Sequence, residues 1–474
     1  MAHARSSSFL TGGKLKFLNL TYIFLLYLAG VYLCPEPEGL SPEGKNALVL
    51  TSVAVVSWVT QIVPIAVASM FFTVIQGVVG IAPLPMALQN FANPVVFFVF
   101  GMFCFALAFE KSGLSERLAL WFSLQAKGSP TRLIFFFMMG GAFLSMFIAD
   151  IPVVAMLTPI ALLLLQENKC APLKSNFGRA MMIGVAMGCL IGGMGTPMGA
   201  GMNMMTIQFL ADTTGTHITF LDWSMIGIPV VFILAPLSWY IIIKIFPPEM
   251  DVLSGLDIVR QRYENLGPMR RNERIFLLLA IINIAMWLSE PLHKTPLPVM
   301  AVMGGTVFFM PGINLLDWNF ARDRIGWEVL LLNGAGCSLG MAMWKTGAAT
   351  WLGSIVLGPM AEMPLWLLIC VAGLFTVWVH LVVPNNVALV AVFIPAVIAL
   401  SQQLGIASAI LAIPIGFTAS AALILPIDPV PLITLQTGYY RMLDWTKPGF
   451  ILSFAWVAAT AASVLIVGTL LGYL

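Results

Sequence analysis

The sequence predicts an all-α polytopic membrane protein. We expect about 11 transmembrane helices plus two re-entrant hairpins, arranged as two inverted repeats. Three observations carry this. The chain of 474 residues is 59% hydrophobic and only 9% charged, against about 25% charged in soluble proteins. One apolar run, Phe147–Ile160, holds a single carboxylate, Asp150, two residues before Pro152. A second run, Leu381–Pro395, repeats the pattern with Asn385 and Asn386.

A charge at bilayer depth costs several kcal/mol unless paired or protonated, so it faces a polar cavity. Proline removes a backbone donor, and non-helical backbone at that depth must be buried in protein or line water. A re-entrant hairpin with a polar tip meets both demands. Asp150 stands nine residues before Pro159, and Asn386 stands nine before Pro395. That equal spacing signals an internal repeat.

Taken in order, membrane segments are expected at 17–34, 47–81, 92–110, 133–166, 178–210, 224–246, 274–291, 296–311, 326–343, 363–402, 408–438 and 449–473. Arg5, Lys14 and Lys16 precede the first apolar run; no small-residue cleavage site follows, so it reads as a membrane helix with a cytoplasmic N-terminus. Segments 133–166 and 363–402 read as hairpins. Segments 178–210 and 408–438 read as helices broken in the middle. The chain divides into 1–44 (N-terminal segment and first helix), 45–246 (first repeat), 247–273 (a solvated cytoplasmic linker) and 274–474 (second repeat).

Basic residues set the expected orientation. Lys111, Arg117, Lys127 and Arg132 precede the first hairpin, and Lys169, Lys174 and Arg179 follow it. Around the second hairpin, 344–362 holds only Lys345 and 401–407 holds no basic residue. The first hairpin should therefore have both flanks inside, and the second both outside. The six cysteines fall mostly in apolar runs and read as small hydrophobes.

Inverted repeats with broken helices place substrate and coupling ions near the bilayer midplane, where half-helix ends offer amide donors and carbonyl acceptors. The candidates for substrate binding are Asp150, Ile151, Thr196, Asn203, Asn385, Asn386, Val387 and Pro429. The candidates for cation coupling are Ala149, Asp150, Gly195, Gly199, Asn385, Asn386 and Asp428. Thr434 belongs to the same neighbourhood. Asp150 reads either as a coupling group or as a cap on a half-helix. His380, one turn before the second tip, reads as hydrogen-bonded packing, and Glu328 as a dipole-favourable acid at a helix start. No nucleotide-binding loop, no His-Glu-x-x-His motif and no Cys/His cluster appears, so neither an ATP-driven pump nor an enzyme is suggested. No organic cofactor and no nucleic-acid partner is expected.

These motifs resemble the divalent anion/sodium symporter family, the dicarboxylate, citrate and sulfate transporters. That family carries Ser-Asn-Thr at each hairpin tip and Gly/Ala-Thr-Pro-Pro-Asn at each break. The aligned stretches here are Ala149-Asp150-Ile151, Asn385-Asn386-Val387, Gly199-Ala200-Gly201-Met202-Asn203 and Asp428-Pro429-Val430-Pro431-Leu432. Asn93-Pro94, Glu110-Lys111-Ser112-Gly113, Leu331–Gly336, Lys345-Thr346-Gly347 and Gly438-Tyr439 also match its habits. Both tip serines and both threonines are absent, and one asparagine has become Asp150.

The resemblance implies a homodimer in the plasma membrane, with a scaffold and an elevator-type transport domain. It also implies sodium at each hairpin–break junction. The leading expectation is secondary transport of small organic anions (di- or tricarboxylates such as succinate, malate or citrate), coupled to Na+ or H+ or run as exchange. Two alternatives stand beside it. One is transport of sulfate, a sulfonate or another small metabolite; the other is cation/proton antiport.

Overall fold

The computed structural model describes residues 13–356, 358–360, 362–420 and 422–472, with side chains from residue 22 onward. Arg5 and the side chains of Lys14 and Lys16 lie outside the described residues. All regular elements among the described residues are helical. Six stretches are long and apolar enough to cross a membrane: Leu84–Ser112, Asp150–Glu167, Asn176–Gly193, Phe220–Ile245, Asn386–Gln403 and Met442–Leu470. The first is interrupted at Ala92 and Asn93. Shorter apolar helices include Pro130–Ser145, Leu365–Val379 and Ser408–Ala419; these are arms of hairpins or halves of broken helices.

The first hairpin is Pro130–Ser145, a turn, and Asp150–Glu167. The second is Leu365–Val379, a turn, and Asn386–Gln403. Its descending arm is capped by Asn385, whose Oδ1 accepts from Ala388 N–H at 2.9 Å. The broken helices are Asn176–Gly193 with Gly201–Thr214, and Ser408–Ala419 with Pro429–Leu435. Helices Pro94–Ser112 and Trp327–Lys345 are each 19 residues long. Each stops at a glycine in the left-handed region, Gly113 (φ +86°) and Gly347 (φ +77°), a conformation that other residues adopt only under strain. Asn93-Pro94 is a helix start: Asn93 Oδ1 accepts from Val95 N–H at 3.1 Å, and Pro94 occupies the position whose donor is orphaned anyway.

Segment 47–81, expected as one stretch, is two helices, Pro42–Thr60 and Ile65–Val78. Pro64 cannot continue the first, and Gln61 turns out of it with φ 51°. Within the expected polar loops lie Leu114–Gln125 and Leu256–Asn265. They pack on each other, so the 247–273 segment is docked rather than freely solvated. Arg117 fixes this contact: Nε and Nη2 donate to the Glu273 carboxylate at 2.8 and 3.0 Å, and Nη1 donates to Gly267 O at 2.9 Å. Asn168 and Ser254 exchange two hydrogen bonds of 3.0 and 2.7 Å. Glu249 accepts from Ser175 Oγ and from Phe177 N–H. Burial works against the charged form of Glu249, but those bonds outweigh it and hold its carboxyl below its ordinary range. The three basic loops therefore lie together at one end of the helices.

Close helix packing is built from small residues. Gly184, Gly188 and Gly192 recur every fourth position and face the first hairpin's ascending arm. A Cβ at Gly188 would meet Met138 O at 2.5 Å, and one at Gly192 would meet Ala142 O at 2.1 Å. The two halves of the chain are laced together by their breaks. Helix Gly201–Thr214 packs on the second hairpin's Asn386–Gln403, while Pro429–Leu435 packs on the first hairpin's Asp150–Glu167.

Two outcomes follow. Gly192→Ala should lower stability by about 1–3 kcal/mol through overpacking against backbone, read as a lower melting temperature of the detergent-purified protein. The inverted arrangement is tested by single cysteines at the exposed Lys174 and Gln403. They should label from opposite faces of the membrane; labelling from one face would remove the inversion.

Candidate functional site

The two hairpin tips and the two breaks meet around a cavity of about 370 Å³. Its wall takes Ala149, Asp150 and Ile151 from the first tip and Asn385, Asn386 and Val387 from the second. The breaks contribute Ala200, Gly201, Asp428 and Pro429. Of the sequence-predicted residues, these eight therefore converge: Ala149, Asp150, Ile151, Asn385, Asn386, Val387, Asp428 and Pro429. Among the described residues no lysine or arginine lines the cavity; its charged residues are Asp150 and Asp428.

Four expected residues lie off this wall: Thr196, Asn203, Gly195 and Gly199. The physical reason is that interrupted backbone needs partners. Thr196 Oγ1 donates to Met146 O of the first tip and accepts from Met198 N–H at 3.1 Å. Asn203 Nδ2 donates to Gly193 O at 2.7 Å and to Thr196 O at 2.8 Å. Both side chains are fully buried, and they close the break rather than reach the cavity. Gly195 packs under Met146 and Val231. Gly199 O accepts from Asp150 N–H at 3.3 Å. Thr434 is likewise engaged, bonded at 3.0 Å to Tyr440 Oη.

The first junction is rich in oxygens. A Cβ built on Gly199 would lie 2.4 Å from Gly193 O and 2.5 Å from Ser145 O, so two carbonyl oxygens crowd against Gly199. One built on Gly193 would lie 3.5 Å from Asp150 Oδ2. Two buried side-chain atoms beside them, Ser145 Oγ and Asn203 Oδ1, have no hydrogen-bond partner. Asp150 Oδ1 accepts from Ile151 N–H at 2.8 Å, which is the capping part of its role. Orphaned buried oxygens beside a carboxylate are the donor set of a hard cation.

The second junction is built differently. Asn386 Nδ2 donates to Asp428 Oδ2 at 2.9 Å, and Asn386 Oδ1 pairs with His380 Nε2 at 2.7 Å. His380 is 3% exposed, and its Nδ1 has no partner. Here Asn386, Asp428 and His380 bond to one another in a chain, and no buried side-chain oxygen is left over at the tip among the described residues.

The opposite wall was not foreseen. It consists of Trp58, Gln61, Phe98, Met102, Phe103 and Asn333, and Met198 and Met202 of the first break also line the cavity. Asn333 carries a signal that sequence reasoning could have used: an amide inside an apolar helix needs partners, as at the second tip.

Comparison with known proteins identifies the family. The family model described as "Sodium:sulfate symporter transmembrane region" matches residues 14–474. A membrane protein of Cupriavidus necator is 27% identical over 458 residues, covering 90% of this chain and 88% of that one. The sodium-dependent dicarboxylate transporter SdcS of Staphylococcus saprophyticus is 27% identical over 440 residues, covering 88% and 84%. In fold, the chain is similar to the crystal structure of the Alcanivorax borkumensis YdaH transporter. The TM-score is 0.53 at 15% identity, over 80% of this chain and 87% of that one. With the family model spanning nearly the whole chain, this is a multi-pass membrane transporter, not an enzyme, and it belongs to the sodium:sulfate (divalent anion/sodium) symporter family.

Proposed function

We propose that the chain is a sodium-coupled secondary transporter of a small organic anion. The first hairpin junction is its cation site. The observation that carries this reading is the oxygen cluster there: Asp150, the carbonyls of Ser145, Gly193 and Gly199, and the unpartnered Ser145 Oγ and Asn203 Oδ1. These residues suit sodium, a hard cation that takes oxygen ligands. When bound, the cation supplies positive charge that offsets Asp150. The sodium dependence named for the SdcS relatives supports the same reading.

The chain's own residues do the rest. Asp150 N–H and Gly199 O hold the tip of the first hairpin on the first break. Thr196 ties the same two segments through Met146 O. Asn386, bridging Asp428 and His380, holds the second tip on the second break. Each tip and its break thus form a unit able to move as one body past the Trp58 and Phe98 wall. We assign that body to the transport domain of an elevator, and the wall to the scaffold of a homodimer in the plasma membrane. The N-terminus is placed on the cytoplasmic side, and the repeats span 45–246 and 274–474.

The second junction does not match a second sodium site, because Asn386, Asp428 and His380 bond to one another and no buried side-chain oxygen there lacks a partner among the described residues. Its amide–carboxylate–imidazole chain leaves the proton as the other coupling ion to test. Asp150→Asn restores the family's residue but removes one charged ligand. It should raise the half-saturating sodium concentration of uptake about tenfold, equivalent to about 1.4 kcal/mol, while substrate still binds. The measurement is initial uptake in proteoliposomes against sodium and against pH, for parent and variant. Identical sodium curves would leave Asp150 as a helix cap only.

A further inference from the structure

Asn333 lies in the middle of helix Trp327–Lys345 and is fully buried. Its Nδ2 donates to Val329 O at 2.8 Å, one turn back. Its Oδ1 has no partner, yet the residue lines the cavity. A buried acceptor without a donor costs stability unless something else supplies one.

Across from it, helix Gly201–Thr214 begins at the cavity wall. Its N-cap is Ala200, which has no side chain to cap with. Gly201 and Met202 amide N–H groups have no partner among the described residues, and both residues line the cavity. The two features are adjacent: a Cβ built on Gly201 would lie 3.8 Å from Asn333 Oδ1. The wall therefore presents two amide donors at a helix N-terminus, which favour an anion, beside one orphaned carbonyl acceptor. A carboxylate bearing a hydroxyl on the neighbouring carbon is the complement of that pattern. Its oxygens accept from Gly201 and Met202, and its O–H donates to Asn333 Oδ1.

The remainder of the cavity restricts the other end of the ligand. Trp58, Phe98, Met102, Phe103, Met198 and Met202 make it apolar. A volume of about 370 Å³ lies in the range of drug-sized ligand sites, more than a four-carbon acid fills. No lysine or arginine is present to meet a second carboxylate. Asp428 stands on the wall bearing the same charge, and like charges in a poorly hydrated space repel.

We propose that the site selects an α-hydroxy monocarboxylate with an aromatic or branched apolar body, and discriminates against dicarboxylates. This rests on the reading above, in which sodium at the first junction offsets Asp150 and leaves Asp428 facing the ligand. Asn333 is then the specificity residue for the hydroxyl.

The test uses the full-length protein and three probes: phenyllactate, phenylpropanoate, which lacks the hydroxyl, and malate, which replaces the apolar body with a second carboxylate. Binding is measured by ligand-induced thermal stabilisation in sodium, and transport by sodium-driven uptake into proteoliposomes. Phenyllactate should bind about tenfold or more tightly than phenylpropanoate, the scale of a lost bond to a buried acceptor, and more tightly than malate. Asn333→Leu should abolish the preference for phenyllactate over phenylpropanoate.

Malate binding more tightly than phenyllactate would overturn the proposal. So would equal binding of the two monocarboxylates by the parent, binding of none of the three, or an unchanged ratio in Asn333→Leu. The order of the three acids in the parent decides the matter even where the variant fails to fold. Stabilisation of the parent by sodium without any acid reports separately on the cation site. Its absence would count against sodium coupling, whichever acid binds.

Discussion

The structure depends on one constraint: backbone that leaves the helix inside a membrane must find its partners within the protein. Two breaks and two hairpin tips put four such stretches in one place. At the first, the partners are supplied by Thr196 to Met146 O, Asn203 to Gly193 O and Thr196 O, and Gly199 O to Asp150 N–H. Once these bonds are made, the tip is fixed on the break. The same bonds that make the irregular backbone tolerable also leave Ser145 Oγ and Asn203 Oδ1 without donors. The cation site proposed there would then be a consequence of closing the backbone at that point.

Packing carries this constraint across the molecule. The glycine row 184, 188 and 192 lets the broken helix lie against the hairpin's ascending arm at backbone contact, which brings residues 193–199 under the tip. Each break then sends its second half to the opposite hairpin, so both tips face one cavity. The asymmetry between the junctions follows from side chains rather than topology. Asn386, Asp428 and His380 bond to one another, whereas the Asp150 side chain accepts from Ile151 N–H at its own helix start.

Much of this was legible in the sequence because it follows from elementary costs. A carboxylate beside a proline in an apolar run marked the first tip, and equal spacing to Pro159 and Pro395 marked the second. The expected hairpin 133–166 compares with helices spanning 130–167. Glycine-terminated helices at 113 and 347 were visible as motifs, and their positive φ explains them. Other features were hidden for physical reasons. Leu114–Gln125 and Leu256–Asn265 are short and charged on one face, so they look like loops until they pack on each other. Thr196 and Asn203 have the chemistry of ligand-binding residues, yet both also close a backbone break, and of the two only Asn203 keeps a buried oxygen without a partner among the described residues. The Trp58, Phe98 and Asn333 wall comes from helices distant in sequence, and only tertiary packing assembles it.

The central claim is that the first junction holds one cation and the second holds none. Direct sodium binding to the purified protein, by isothermal titration or by radiolabelled sodium in the absence of any organic acid, tests it most closely. One sodium per chain is expected, with binding lost in Asn203→Ala, whose carbonyl oxygen is removed from the cluster, and retained in Asp428→Asn. Two sodium ions per chain, or binding that survives Asn203→Ala and disappears in Asp428→Asn, would contradict the account.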